Sequence, residues 1–228
     1  MLEYLKKEVL KACLDLVKYK LVLYTWGNVS AIDREKNLVV IKPSGVNYED
    51  LTAEFMTVVD LHGNIIEGKY KPSSDTPTHL EIYKAFREIA SVTHTHSTYA
   101  TAFAQSGNAI QFLGTTHADY FYGDIPCTRE LTKKEVENDY EKNTGFVIAD
   151  TFKNINPLEI PAVLVKSHGV FTFGKNAENS VHNAVVLENI AKMAYLTKNI
   201  NPKAEKASDY ILDKHFLRKN GKNSYYGQ

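Results

Sequence analysis

The sequence predicts a single α/β domain, an α/β/α sandwich around a mixed, largely antiparallel central sheet. Three observations carry this. Short β-branched runs alternate along the chain with segments of helical period. Two of those runs are joined by His62-Gly63-Asn64, a connection short enough to demand antiparallel pairing. The 228 residues contain no Pro/Gly/Ser-rich linker, which suits one core rather than two.

From the N-terminus, Leu2, Leu5, Val9, Cys13, Leu16 and Val17 lay an apolar stripe along an amphipathic helix. Leu38 to Ile41 and Phe55 to Val59 read as strands, the second leading through His62-Gly63-Asn64 into Ile65-Ile66. Thr76-Pro77 opens a helix, with proline at its favoured first position, and Ser91 to Thr95 returns as a strand. Thr132 followed by Glu135 is a capping-box start. Ala162 to Val165 is a buried strand, Asn176 opens a long helix to about Thr197, and Asp213, His215 and Arg218 share a last helix.

Composition narrows the function. With 43% hydrophobic and 24% charged residues, the chain is neither disordered nor a disulfide-stapled miniprotein. Lys+Arg and Asp+Glu both number 27, so there is no basic field to hold a nucleic acid. No apolar run reaches the roughly 18 residues of a membrane helix, and Glu3, Lys6, Lys7 and Glu8 interrupt any signal-peptide segment. The expectation is a soluble, cytoplasmic protein with no nucleic-acid or membrane partner. Cys13 and Cys127 are too few for a secreted scaffold and are read as core thiols.

The chemistry gathers around histidines. In an extended chain His94 and His96 project to one face, where two imidazoles can meet one metal ion or simply face solvent. Ser167-His168-Gly169 places a third histidine at another strand end, with the glycine allowing a sharp turn. Three imidazoles form a catalytic zinc shell, though manganese, nickel or cobalt would also bind there. Asp75 is either a fourth ligand or the N-cap ahead of Pro77. Trp26-Gly27-Asn28-Val29-Ser30 and Lys42-Pro43-Ser44-Gly45 read as turns with hydroxyls, free backbone N–H groups and one cation. With Ser73 and Ser74 they point to a phosphorylated small molecule, and no nucleotide motif is present. Asp119, within Gly114 to Tyr120, is an acid/base candidate or an ordinary loop carboxylate. The ending Ser224-Tyr225-Tyr226-Gly227-Gln228 puts two tyrosines where a frayed tail has no use for them, and so calls for a docking site.

Several of these stretches stand in order along nearly the whole chain: Thr25 to Ser30, Ile41 to Val46, Lys71 to His79, His94 to Ser97, Gly114 to Gly123, Ser167 to Gly169, Asp213 to His215 and Tyr225 to Gln228. They resemble the class II aldolase/adducin family, and within it the ketopentose-phosphate 4-epimerases. The resemblance implies a class II aldolase-like domain over residues 1–228 and one zinc per subunit, held by Asp75, His94, His96 and His168. It implies a phosphate site from Gly27, Asn28, Lys42, Ser44, Gly45, Ser73 and Ser74. Asp119 and Tyr226 are implied as the acid/base pair, assisted by Thr115, His215 and Arg218. The implied assembly is a C4 homotetramer in which the tail, from about residue 220 to 228, closes over a neighbour's site. The implied activity interconverts L-ribulose 5-phosphate and D-xylulose 5-phosphate.

Such an inversion constrains its mechanism. A carbinol carbon not adjacent to the carbonyl cannot invert by simple enolisation, and a hydride route needs a nicotinamide motif that the sequence lacks. Retro-aldol cleavage of C3–C4, rotation of the retained glycolaldehyde phosphate and re-addition is the remaining route. Two rivals share the pattern. An aldolase of the L-fuculose-phosphate type would release its products and, as the family implies, would carry a glutamate where Asp75 stands. An adducin-like head would be a binding module without a metal.

Overall fold

The computed structural model describes residues 2–222, 224 and 225. In chain order its elements are α1 (Glu3–Lys18), β1 (Asn28–Asp33), β2 (Leu38–Ile41), β3 (Thr57–Asp60), β4 (Ile65–Glu67), α2 (Thr76–Ala85), β5 (Ser91–Thr95), α3 (Thr98–Ser106), α4 (Thr115–Ala118), α5 (Lys133–Glu137), α6 (Tyr140–Thr151), β6 (Ala162–Leu164), β7 (Val170–Gly174), α7 (Ala177–Ile200) and α8 (Asp209–Asn220). The seven strands form one sheet in the order β4-β3-β2-β1-β5-β7-β6. Every ladder in it is antiparallel. The mixed character expected from the sequence reduces to one isolated parallel bridge, Cys127 to Leu164.

Alternation along the strands divides the core. Val29, Ala31, Val40 and Val58 pack against α1 and the start of α7, and Ala162, Leu164 and Val170 continue that layer against α3 and the rest of α7. The opposite face carries Ile32, Val39, Val59, Val92, Phe171 and Phe173 against α2 and α6. In α1 the buried line is Val9, Ala12, Cys13 and Leu16, while Val17 is exposed because each step of four overshoots a helical turn. Lys6 fills a gap in this line with its ammonium 2.6 Å from Glu67, tying α1 to β4. Burial pushes the Cys13 thiol up to about 12, so it behaves as an inert small hydrophobe.

Capping bears out two helix starts, and two strand boundaries differ from the sequence reading. Thr132 and Glu135 form both halves of a capping box on α5, and Asn176 caps α7 through Asn179 N–H. β3 begins at Thr57 because Ala53–Phe55 is a 3₁₀ turn, so Phe55 stays outside the strand. Trp26 to Ser30 was expected to be a turn throughout, but the turn ends at Gly27. Asn28–Asp33 is β1, the central strand, paired to both β2 and β5. No helix among the described residues is long and apolar enough to cross a membrane.

His117 in α4 is buried, with its Nε2–H donating to the Gly123 carbonyl at 2.7 Å. Burial holds its pKa down to about 4, against an ordinary 6.5, although the Gly123 contact favours the charged form. The unfolded chain therefore takes up a proton that the folded one refuses. Stability is fully present above pH 6.5 and is lost as the pH falls toward 4, by about 3 kcal/mol from this group. In urea denaturation from about pH 7 down to about pH 4.5, His117→Gln is expected to show a shallower loss of stability than the unaltered protein; an unchanged slope would remove His117 from the account.

Candidate functional site

β5 and the turn between β6 and β7 bring three histidines together. His94 and His96 lie two residues apart at the end of β5, where period-two alternation turns both to one face. His168 sits in the turn entering β7, the strand paired to β5. Their Nδ1 or Nε2 atoms lie within 4.8 Å of one another. His94 Nδ1 meets the Val170 carbonyl at 2.9 Å, and a carbonyl only accepts, so Nδ1 carries the proton and Nε2 is a lone pair. That lone pair faces His96 Nε2 at 3.0 Å. Two zinc–nitrogen bonds of about 2.0–2.1 Å at a tetrahedral angle put their nitrogens about 3.4 Å apart, so the donor set fits a divalent metal. Burial and then repulsion from His94 and His96 hold His168 down to about 3, so it is neutral at physiological pH and its lone pair is available.

The sharp turn at this site uses Ser167, at φ 62°, whereas Gly169 has no positive φ. Gly169 matters for space. A Cβ there would lie 2.8 Å from the Thr95 carbonyl, 2.9 Å from His96 Cδ2 and 3.2 Å from His94 Cε1. Gly169→Ala is expected to push the rings apart, costing about 1–3 kcal/mol of packing and at least tenfold in metal affinity. Calorimetric titration with a divalent metal checks it, and unaltered affinity would show that the ring spacing does not matter.

Asp75 occupies the N-cap position of α2 but makes no capping hydrogen bond. Its carboxylate instead accepts from Asn28 Nδ2 at 2.7 Å and lies 3.9 Å from His94 Nε2. It stands at the edge of the three-nitrogen cluster, on the His94 side. Burial works to raise its pKa, but the neighbouring His94 and His79 rings and the Asn28 amide outweigh that and hold it low. Because a carboxylate only accepts, the Asn28 amide is oriented, leaving its Oδ1 buried with no partner among the described residues.

One cleft of about 310 Å³ is lined by Gly27, Asn28, Lys42, Ser44, Gly45, Ser73, Ser74, Asp75 and all three histidines. Gly27 is required by its φ of 75° and because a Cβ would sit 2.9 Å from the His94 carbonyl. The two wall loops are sewn together: Ser44 N–H donates to Lys71 O at 2.9 Å and Ser73 N–H to Lys42 O at 3.0 Å. The Ser44 amide, expected to be free for an anion, is thus engaged, as is that of Ser73, and among the described residues the Gly45 N–H and the serine hydroxyls are left as donors there. The Lys42 ammonium donates to the carbonyls of Val46, Pro43 and Thr25 at 3.0–3.5 Å and lies over the Tyr48 ring. Its first task is to brace the loops.

Asp119, His215 and Arg218 form a second cluster. Arg218 donates to both Asp119 oxygens at 3.0–3.2 Å, and His215 Nδ1 lies 3.2 Å from one of them. Asp213, by contrast, accepts from the Tyr122 hydroxyl. Asp119 lines a separate cavity with Gly174 and Lys175, at the far end of β7 from the histidines, about 13 Å of strand away. Thr115 lines a third, against α7. Within one chain the two clusters do not meet. Tyr226 lies outside the described residues, and Tyr225 just before it is exposed.

Two site neighbours were missed in the sequence. Tyr140, at the start of α6, puts its hydroxyl 3.4 Å from His168 Nδ1, and no pattern marks a tyrosine that arrives from a distant helix. His79 lies fully buried one turn after Asp75, a spacing that could have drawn attention to it.

Residues 7–195 match the family described as the class II aldolase and adducin N-terminal domain. Among solved structures the chain is similar to an L-fuculose 1-phosphate aldolase, at 28% identity over 92% of this chain and 93% of that one, with a TM-score of 0.81. It is also similar to an L-fuculose 1-phosphate aldolase from Glaciozyma antarctica PI12, at 19% identity, 95% and 81% coverage and a TM-score of 0.79. A third is YgbL from Escherichia coli, a candidate aldolase/epimerase/decarboxylase, at 18% identity, 93% and 98% coverage and a TM-score of 0.74. The last two speak for the fold alone.

Proposed function

Because this chain belongs to the class II aldolase and adducin family, we propose that it is a zinc-dependent epimerase interconverting L-ribulose 5-phosphate and D-xylulose 5-phosphate. The observation that carries the reading is the single cleft in which the three histidines and Asp75 stand opposite Ser44, Ser73 and Ser74. Asp75, His94, His96 and His168 would hold the metal, which supplies a Lewis acid where negative charge develops on the ketose oxygens.

The rest of the chemistry falls to the chain. A base takes the proton of the C4 hydroxyl, the C3–C4 bond breaks with its electron pair left on C3, and a dihydroxyacetone enediolate and glycolaldehyde phosphate result. The serine hydroxyls and Gly45 retain the phosphate while the aldehyde turns. Re-addition to its other face forms C3–C4 again, and a second group protonates the alkoxide. Asp119 and Tyr226 are the acid/base pair, with Thr115, His215 and Arg218 in support. Since Asp119 lies at the other end of β7 from the histidines of its own chain, we assign it with Tyr226 to a neighbour's cleft in a C4 tetramer of single-domain subunits, each tail closing over the next.

The second reading is an aldolase acting on L-fuculose 1-phosphate, favoured by the 28% identity to such an enzyme. Against it stands Asp75, pinned by Asn28 at 2.7 Å and so better suited to a fixed ligand than to a mobile proton carrier. Incubating the metal-loaded protein separately with each sugar phosphate decides between them. Formation of D-xylulose 5-phosphate without release of free fragments supports the epimerase. Cleavage of L-fuculose 1-phosphate, with no epimer from L-ribulose 5-phosphate, would replace it with the aldolase.

A further inference from the structure

Asn28, Ser30 and Ile32 alternate onto the face of β1 that meets α2, and α2 answers with Asp75, His79 and Tyr83 at steps of four. A polar seam therefore runs inward from the cleft. Asn28 holds Asp75, and Ser30 Oγ then sits 2.7 Å from both His79 Nδ1 and the Tyr83 hydroxyl. All three of these inner residues are completely buried, within a layer otherwise built from Val39, Val92, Phe171 and Phe173. Polar groups this deep in an apolar layer are costly unless satisfied. In this inner group His79 Nε2 is buried with no partner among the described residues.

Counting protons gives the chain a direction. Ser30 and Tyr83 each carry one hydroxyl proton. If Tyr83 donates to Ser30 and Ser30 to His79 Nδ1, both are used, and the neutral ring keeps its own proton on Nε2. In the reverse order His79 Nδ1–H donates to Ser30 and Ser30 to Tyr83. The phenol proton then has no acceptor among the described residues, and Nε2 is still unpartnered. One orphan costs less than two, so the first order holds.

The metal site lies next to this ring. His79 N–H donates to the Asp75 carbonyl at 3.1 Å, which puts the two side chains one helical turn apart. The imidazole meets Phe171 edge-on, with centroids 5.8 Å apart at 70°, and Phe171 is stacked on His94 at 4.2 Å and 19°. We propose that the Tyr83–Ser30–His79 chain is a positioning device for the metal site, holding His79 as the Nε2–H tautomer behind Asp75 and His94. The fixed ring supports His94 through Phe171, and its backbone bond to the Asp75 carbonyl ties it to the start of α2 that carries Asp75. The proposal rests on the reading of the histidine cluster as a metal site.

Two measurements test it on the full chain. The first is a long-range ¹H–¹⁵N correlation spectrum of the metal-free protein labelled at histidine, in which His79, assigned through His79→Gln, should show the pattern of a proton on Nε2 and none on Nδ1. A proton on Nδ1 would overturn the proposal. The second is zinc affinity by chelator competition. Ser30→Ala breaks the chain at its middle and should lose affinity by about tenfold or more, the usual effect of removing an outer support of a metal ligand. Tyr83→Phe leaves the Ser30-to-His79 bond intact and should lose less. Thr151→Val deletes another part-buried hydroxyl, bonded to Val147 O at the opposite end of α6 from Tyr140, and should leave affinity unchanged. If Ser30→Ala binds zinc as tightly as the unaltered protein, or loses no more than Thr151→Val, the proposal fails. If the unaltered protein binds no zinc, it is the reading of the cleft that fails, while the tautomer still reports on the chain.

Discussion

Replacing His96 by alanine is expected to remove bound metal and about a thousandfold of the activity together. His96 contributes the ring nitrogen 3.0 Å from His94 Nε2, at the exposed side of the cluster, so its loss opens the shell without emptying the core. The rate follows from what the metal supplies. Charge stabilisation of several kcal/mol at the developing enediolate corresponds to about 10³ in rate at 1.36 kcal/mol per factor of ten. The unaltered protein should carry about one divalent ion per subunit by elemental analysis, since one three-histidine cluster is present. A metal-free His96→Ala protein that still turns over would sink the assignment, and an unaltered protein that folds without metal would favour the binding-module reading.

Mixing two inactive variants should restore activity. Tyr226→Phe keeps the histidines but loses a proton-transfer group, worth about 10²–10⁴ in rate. His96→Ala keeps the tail but loses the metal. If the tail of one subunit serves the cleft of the next, random assembly at equal ratio pairs an intact cleft with an intact tyrosine at about a quarter of the sites. The geometry motivates the experiment, because Asp119 and the three histidines border different cavities at opposite ends of β7. Mixed tetramers, verified by mass, that show only the parents' residual rates would place Tyr226 within its own chain or outside the reaction.

The parts of the site that lie close in sequence were legible before folding. His94 and His96 fall on one face because strands alternate, and Thr132 with Glu135 forms its cap because the two are three residues apart. What depends on tertiary contact was not. The Trp26 to Ser30 stretch reads as a turn because Gly27 and Asn28 are turn formers. It becomes half turn and half central strand because β2 and β5 claim Asn28–Asp33 from both sides. Lys42 reads as a cation for a phosphate, yet its charge is used on three carbonyls that only the folded loops bring to it. That the Asp75 side chain leaves α2 uncapped could be known only by seeing where its oxygens point, and one of them accepts from Asn28.

The order of the strands has a consequence for how the protein comes to exist. His94 and the Val170 carbonyl that orients it are 76 residues apart, and the β5–β7 ladder that joins them runs to Gly174. The three ligand nitrogens cannot converge while the chain is still short of β7 on the ribosome, however early β1 and β2 close their local hairpin. Sheets dominated by such distant pairings fold slowly, because the chain must surrender loop entropy before any contact repays it. Metal capture at the proposed site would therefore be a late event in biogenesis, and a truncated or stalled chain ending before residue 170 would be expected not to hold a metal by this route.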